Sequence, residues 1–186
     1  MTLAVSAFPR PAAQSLLIRD ERPHDFFARE ALLDAGFGPN RAQKTSERLR
    51  EDRLPAHGLA LSATEDGRLA GTLRLWHVEA GSVGESLLLG PLAVAENHRR
   101  RGLGARLMGE ALHRALVRGH RSVLLVGDLA YYERFGFSRA LTEGLDLPGP
   151  VDRARFLGLE LQEGALYRAR GMVRAAGVTF DYALAA

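Results

Sequence analysis

The sequence predicts a single α/β domain in which helices pack on a mixed sheet. Three observations predict it. Strand-like and helix-like segments alternate, an Asp66-Gly67 turn joins two early strands as a hairpin, and no internal repeat or linker divides the 186 residues.

The elements follow in chain order. Residues 1–14 are rich in Ala and Pro and are expected to be disordered, leaving 15–186 as the domain. SLLIR (15–19) reads as a short strand, and HDFFAREALLDAGFG (24–38) as a helix closing near Gly36. NRAQKTSERLRED (40–52) reads as a second, polar helix. LALSAT (59–64) and RLAGTLRLWHV (68–78) flank the Asp-Gly turn as strands two and three. SLLLGPLAV (86–94) is a continuous apolar run, as in a strand buried on both faces. Pro91 has no N–H for a ladder, so the strand is expected to bulge or part from a neighbour at Gly90-Pro91. From Gly102 to Arg118 apolar residues recur at helical spacing, and Gly119 supplies a stop. SVLLVG (122–127) is another buried strand, Asp128 an N-cap, and LAYYERF (129–135) a short helix ended by Gly136. RFLGLEL (155–161) and its surroundings read as strand and loop, and the segment after Leu166 carries no strong signal.

Composition narrows the function classes. With 46% hydrophobic and 25% charged residues the chain can bury one ordinary core. It has no cysteine, which excludes a disulfide framework, a thiolate metal site and a cysteine nucleophile. No metal site is expected. The N-terminal segment has no basic stretch before its apolar run, and no run approaches the roughly 18 apolar residues of a membrane span. A cytoplasmic protein with no membrane partner is expected. Net charge is +3, too mild to argue for nucleic acid by itself.

The most informative stretch is LAVAENHRRRGLGARLM (92–108). A strand that leads through glycines into a long helix gathers backbone N–H groups and the positive end of the helix dipole at one spot, which suits phosphate. Gly102 and Gly104 let an anion approach the backbone, and the neighbouring arginines add charged donors. The ATPase loop is excluded because no Gly-Lys-Ser/Thr is present. The dinucleotide loop is excluded because Leu107 stands where a third glycine belongs.

These residues resemble motif A of the GNAT superfamily of N-acetyltransferases, Val-x4-Arg/Gln-x-x-Gly-x-Gly/Ala, with Val94, Arg99, Gly102 and Gly104 in register. YYERFGF (131–137) is similar to motif B of that family, its Tyr-x-x-x-Gly-Phe falling on Tyr132, Gly136 and Phe137. The block from strand four to RFLGLEL looks like the YhbS-like branch. The resemblance implies a largely antiparallel sheet, flanked by helices, whose fourth and fifth strands splay into a V. It implies acetyl-CoA as cosubstrate, its pantetheine arm beside Leu92, Ala93 and Val94. The pyrophosphate would lie on Arg99, Arg100, Arg101, Gly102, Leu103, Gly104 and Ala105, with Asp128 and Tyr131 nearby. Arg100 stands where the family often has glycine, and it or Arg101 is the candidate for the adenosine 3′-phosphate.

Acetyl transfer needs a neutral amine, a polarised thioester carbonyl and a proton for the departing thiolate. Tyr132 is the candidate acid. The family often places a glutamate on strand four, but Leu87 to Val94 contains no carboxylate, and His77 is the candidate base, with Glu79 near it. His77 shares a face with Leu73 and Leu75, which equally suits a half-buried structural histidine, while Arg74 and Trp76 face the other way and would line an acceptor cleft or pack. The reading is an N-acetyltransferase acting on a primary amine of a small molecule or peptide, as monomer or homodimer. A coenzyme A sensor without turnover, or a protein binding nucleic acid through HRRRG, are the alternatives. The loops between residues 36 and 58 and the tail after 162 are expected to shape the acceptor pocket.

Overall fold

The computed structural model describes residues 16–180; the segment 1–14, expected to be disordered, lies outside them. β1 (Leu16–Asp20) precedes α1 (Phe26–Phe37), and β2 (Ala60–Glu65) and β3 (Arg68–Ala80) form the hairpin about Asp66-Gly67. β4 (Glu85–Val94), α2 (Leu103–Val117) and β5 (Ser122–Val126) form a parallel crossover. A short α3 (Leu129–Tyr132), β6 (Gly144–Asp146), β7 (Phe156–Glu160) and β8 (Arg170–Ala175) follow. The sheet runs β1-β2-β3-β4-β5-β7, and β8 joins the far end of β3 and pairs with β6. Only β4–β5 and β6–β8 are parallel, so the sheet is mixed and largely antiparallel, as the sequence predicts.

Strand alternation divides the core into two layers. On one face Leu73, Leu75, Leu87, Leu89, Val123 and Leu125 meet the apolar stripe of α2. On the other, Trp76, Val78, Leu88, Leu124 and Phe156 meet Leu145, Leu147, Leu166 and Val173. α1 packs on β3 and β4, tied by Arg29 and Arg74, which share the carboxylate of Glu21. Asp25, just before α1, accepts from Arg19, the Arg22 N–H and Ser62; these hydrogen bonds, that from Arg19 foremost, hold its carboxyl far below the usual carboxylate range. Among the described residues no helix is long and apolar enough to cross a membrane.

Two expectations need correction. The first helix runs through Gly36 and stops at Gly38, whose positive φ of 80° is followed by Pro39. The polar helix expected over 40–52 is instead two 3-10 turns, Pro39–Gln43 and Glu47–Leu49, separated at Lys44, which is extended. Its side chains bond elsewhere: Thr45 donates to the Pro150 carbonyl and Arg48 to that of Pro148 (2.9 Å). Long-range partners override a weak local preference. The remainder of the chain, read as strand and loop, includes β8 after Leu166, whose Val173 is fully buried.

Candidate active site at the strand splay

Gly90-Pro91 both bulges and parts the sheet. On the β3 side Leu75 pairs with Leu89 and Leu73 with Leu92, so Arg74 alone opposes Gly90 and Pro91. The Trp76 indole N–H donates to the Gly90 carbonyl at 2.6 Å, satisfying a buried group that the bulge removes from the ladder. On the other side β4 meets β5 only at Leu87–Val123 and Leu88–Leu124. Beyond these pairs the strands diverge, and a cavity of about 560 Å³ opens between Leu89–Leu92 and Val126–Asp128. Tyr131 and Tyr132 line it too, and the 3-10 segment around Lys44 to Arg50 and the loop 150–152 close its outer wall. The loop between residues 36 and 58 therefore does contribute to the pocket, whereas the tail after 162, also expected to shape it, does not line it, because the described part of that tail packs as β8 against β3 and β6.

From β4 the chain enters the turn before α2. Arg100 (φ 60°) and Gly102 (φ 78°) both take the left-handed conformation, and Gly102 is the N-cap of α2. The four basic side chains part company here. The buried ring of His98 sets Nε2 2.8 Å from Glu65 and Nδ1 2.7 Å from Asn97, while Arg101 leans back to Glu65 at 3.3 Å. Arg99 donates through Nε to the Val94 carbonyl at 3.2 Å. Arg100 is exposed and has no hydrogen bond or ion pair among the described residues. Of the run, Arg99 and Arg100 remain able to meet an anion, whereas Arg101 is already paired.

Gly104 is half-buried in the first turn of α2. A Cβ there would stand 2.8 Å from the Tyr131 hydroxyl and 3.7 Å from Val94 Cγ2, so loop, strand end and Tyr131 converge on one point. Ala105 is half-buried beside it, while Leu103 and Ala93 turn into the core. Asp128 caps α3 by accepting from the Ala130 N–H at 3.2 Å and lines the cavity. Tyr132 lies over Gly127, where a Cβ would come within 2.2 Å of its ring, and meets Tyr131 edge-on at 4.9 Å. Burial, reinforced by Tyr131, pushes the Tyr132 phenol up to about 12. It is therefore neutral at any ordinary pH, but a weaker acid than a free phenol.

His77 does not join this site. Its ring faces His120 at 5.4 Å, beside the loop that follows α2, with Gly177 packed against it. Two residues of β3 separate it from Arg74, opposite the bulge, and Glu79 is exposed further along the same strand. Arg74 and Trp76 do not line the cavity either; one is paired with Glu21 and the other holds Gly90. The residue that sequence reasoning missed is Arg50, only 8% exposed and lining the cavity. Nothing in a polar run of thirteen residues with three other arginines or lysines marks it, because its burial comes from long-range packing. Among the described residues no three His, Asp or Glu side chains gather as a metal site.

The comparisons with known proteins agree with this geometry. The model of the acetyltransferase (GNAT) family matches residues 21–137. Over 161 residues the chain is 33% identical to YhbS of Escherichia coli (strain K12), named an uncharacterized N-acetyltransferase, covering 85% of this chain and 95% of that protein. The crystal structure of Escherichia coli YhbS in complex with CoA superposes with a TM-score of 0.76 at 31% identity, covering 91% of this chain and 94% of that one. A GNAT family acetyltransferase from Brucella melitensis in complex with acetyl-CoA gives 0.63 at 28% identity, covering 91% and 100%.

Proposed function

Because the chain belongs to the acetyltransferase (GNAT) family, we propose that it moves the acetyl group of acetyl-CoA to a primary amine bound in the cavity beside Gly90-Pro91. The observation that carries the reading is the splay: over residues 89 to 94 one edge of β4 has no strand partner, and that edge leads into a left-handed turn and the N-terminus of α2. An extended arm would pair with the free edge. The pyrophosphate would meet the N–H groups of residues 102–105, where Gly104 keeps the approach open. Arg99 supplies charge beside it. Arg100, exposed and unpaired, suits the 3′-phosphate.

In the reaction the amine nitrogen attacks the thioester carbonyl carbon, forming the C–N bond. The oxyanion that develops is stabilised by a backbone N–H of β4, and the C–S bond then breaks. The thiolate takes the Tyr132 proton. The nitrogen releases its extra proton to solvent, and Tyr132 regains one there. Because the phenol lies near 12 and a free thiol near 8.5, this transfer is uphill unless the thiolate is desolvated in the same cavity, which raises its own affinity for the proton.

The test is a thermal shift followed by turnover. Acetyl-CoA should raise the melting temperature, since a ligand selective for the native state stabilises by mass action, and thiol should be released when amines are added. Gly104→Glu, which sets a carboxylate against the pyrophosphate and crowds Tyr131, should abolish the shift. A folded Gly104→Glu protein that still binds acetyl-CoA as wild type does would remove the phosphate loop from its assigned place.

A further inference from the structure

The lining of the cavity includes an arginine that the transfer chemistry above does not use. Arg50 follows the second 3-10 turn, and its side chain is 7% exposed. Its Nε donates to the Ser46 carbonyl (3.2 Å), and its Nη2 to Ser46 Oγ (3.1 Å) and Glu47 (2.7 Å). Its Nη1 has no hydrogen-bond partner among the described residues, and it lies 3.7 Å from the point where a Cβ on Gly90 would stand. One nitrogen of a buried guanidinium is thus aimed at the bulge, beside which the thioester would lie. An arginine serving only to fasten the loop would be satisfied by Ser46 and Glu47 and would have no reason to leave that nitrogen bare beside a cavity.

Charged side chains of both signs line the cavity. Three carboxylates line the cavity, and each is engaged: Glu47 with Arg50, Asp128 with the Ala130 N–H, and Asp152 with the Ala154 N–H. Facing them are Arg41, which is held by Glu30 and Asp34 on α1, and Lys44 and Arg155, neither of which has an ion pair among the described residues. Burial, with Arg41 and Arg74 nearby, makes the charged form of Arg50 harder to hold than that of an ordinary arginine. A ligand anion at Nη1 would relieve this. A polycation would aggravate it.

We propose that Arg50 binds the carboxylate of the acceptor, which makes the substrate a free amino acid: a small amine with a carboxylate on the adjacent carbon. This rests on the acetyltransfer reading. A carboxylate fixed at Nη1 holds the attached amine at the bulge. The Arg50 guanidinium beside the bulge disfavours the ammonium form of that amine, so the nucleophile is delivered neutral although Leu87 to Val94 contains no carboxylate to deprotonate it. The absence of a carboxylate from Leu87 to Val94 and the bare Nη1 of Arg50 then have a common explanation.

The experiment compares each standard amino acid with its amide and with the amine left by decarboxylation, scored by thiol release from acetyl-CoA. The amide also represents a peptide N-terminus. Wild type should prefer the carboxylate form of its best acceptor by at least about tenfold in kcat/KM, as one charge-assisted hydrogen bond allows. Arg50→Lys should erase that preference through KM while retaining the acetyl-CoA thermal shift. Independently of any variant, the N-acetylated amino acid should raise the melting temperature of the wild-type protein with CoA bound, and the acetylated amine lacking the carboxylate should not. Equal use of amide or amine overturns the proposal, as does an Arg50→Lys protein that loses all three forms alike. An acetyl-CoA shift with neither turnover nor protection by the N-acetylated acid overturns it too, while leaving coenzyme binding intact. Absence of the acetyl-CoA shift itself defeats the underlying reading instead.

Discussion

Tyr132 and Arg100 show how much depends on single side chains. Tyr132→Phe removes one hydroxyl and keeps the ring over Gly127. If that hydroxyl protonates the thiolate, kcat should fall about 10²- to 10⁴-fold with acetyl-CoA affinity nearly unchanged, which single-turnover and binding measurements separate. In that role the neutral phenol would be the donor, and burial raises its pKa to about 12. The wild-type rate should therefore show no decline from this group as pH passes 10, where an ordinary phenol would ionise; a fall centred there would remove Tyr132 from the acid role. Arg100 holds a φ of 60° that suits glycine. Arg100→Gly should raise stability by up to about 1 kcal/mol in denaturant unfolding. It should also weaken CoA more than dephospho-CoA. Equal losses for the two ligands would deny Arg100 the 3′-phosphate.

At the scale of elements the decisive one is β4. Its Gly-Pro pair announces an interruption because proline cannot donate to a ladder, and the bulge opposite Arg74 is that interruption. What the local pattern does not contain is the clamp: Trp76 lies fourteen residues away in sequence and supplies the N–H that Gly90 needs. Trp76→Phe should leave the buried carbonyl unpaired and cost about 1–3 kcal/mol of unfolding free energy. Thiol release should fall with it if the free edge of β4 receives the thioester, because that edge loses its register. An unchanged unfolding curve would show that water replaces the indole. The segment 40–52 teaches the reverse lesson, since its polar composition suits a helix in isolation and its bonds to Pro148 and Pro150 do not.

The whole molecule is a sheet covered on both faces, and its closure depends on the last described strand. β8 joins β3 at Val78–Ala80 and β6 at Gly144–Asp146, placing Val173 in the layer with Trp76 and Phe156. Val173→Ala should destabilise by about 1–3 kcal/mol, from lost burial plus the cavity left behind, as read from a shifted denaturation midpoint with unchanged slope. A neutral result would mean that the tail packs without contributing to the core. The strand escapes sequence reading because only one of its six residues is fully buried, so it carries no alternation.

By itself the sequence determined the properties that reside in neighbours along the chain: the Asp-Gly hairpin, the stripe of α2, the broken fourth strand, and the glycines of the turn before α2. Each follows from a backbone preference or a period, which a short window contains in full. Tertiary structure alone decided which charges are free. Glu65 reaches across from β2 to take His98 and Arg101 out of the basic run. His120 meets His77 far from the cavity, and packing of the 40–52 segment buries Arg50 beside Gly90. Ion pairing and burial depend on distance in space, and residues thirty or forty positions apart carry no mark of one another in a single chain.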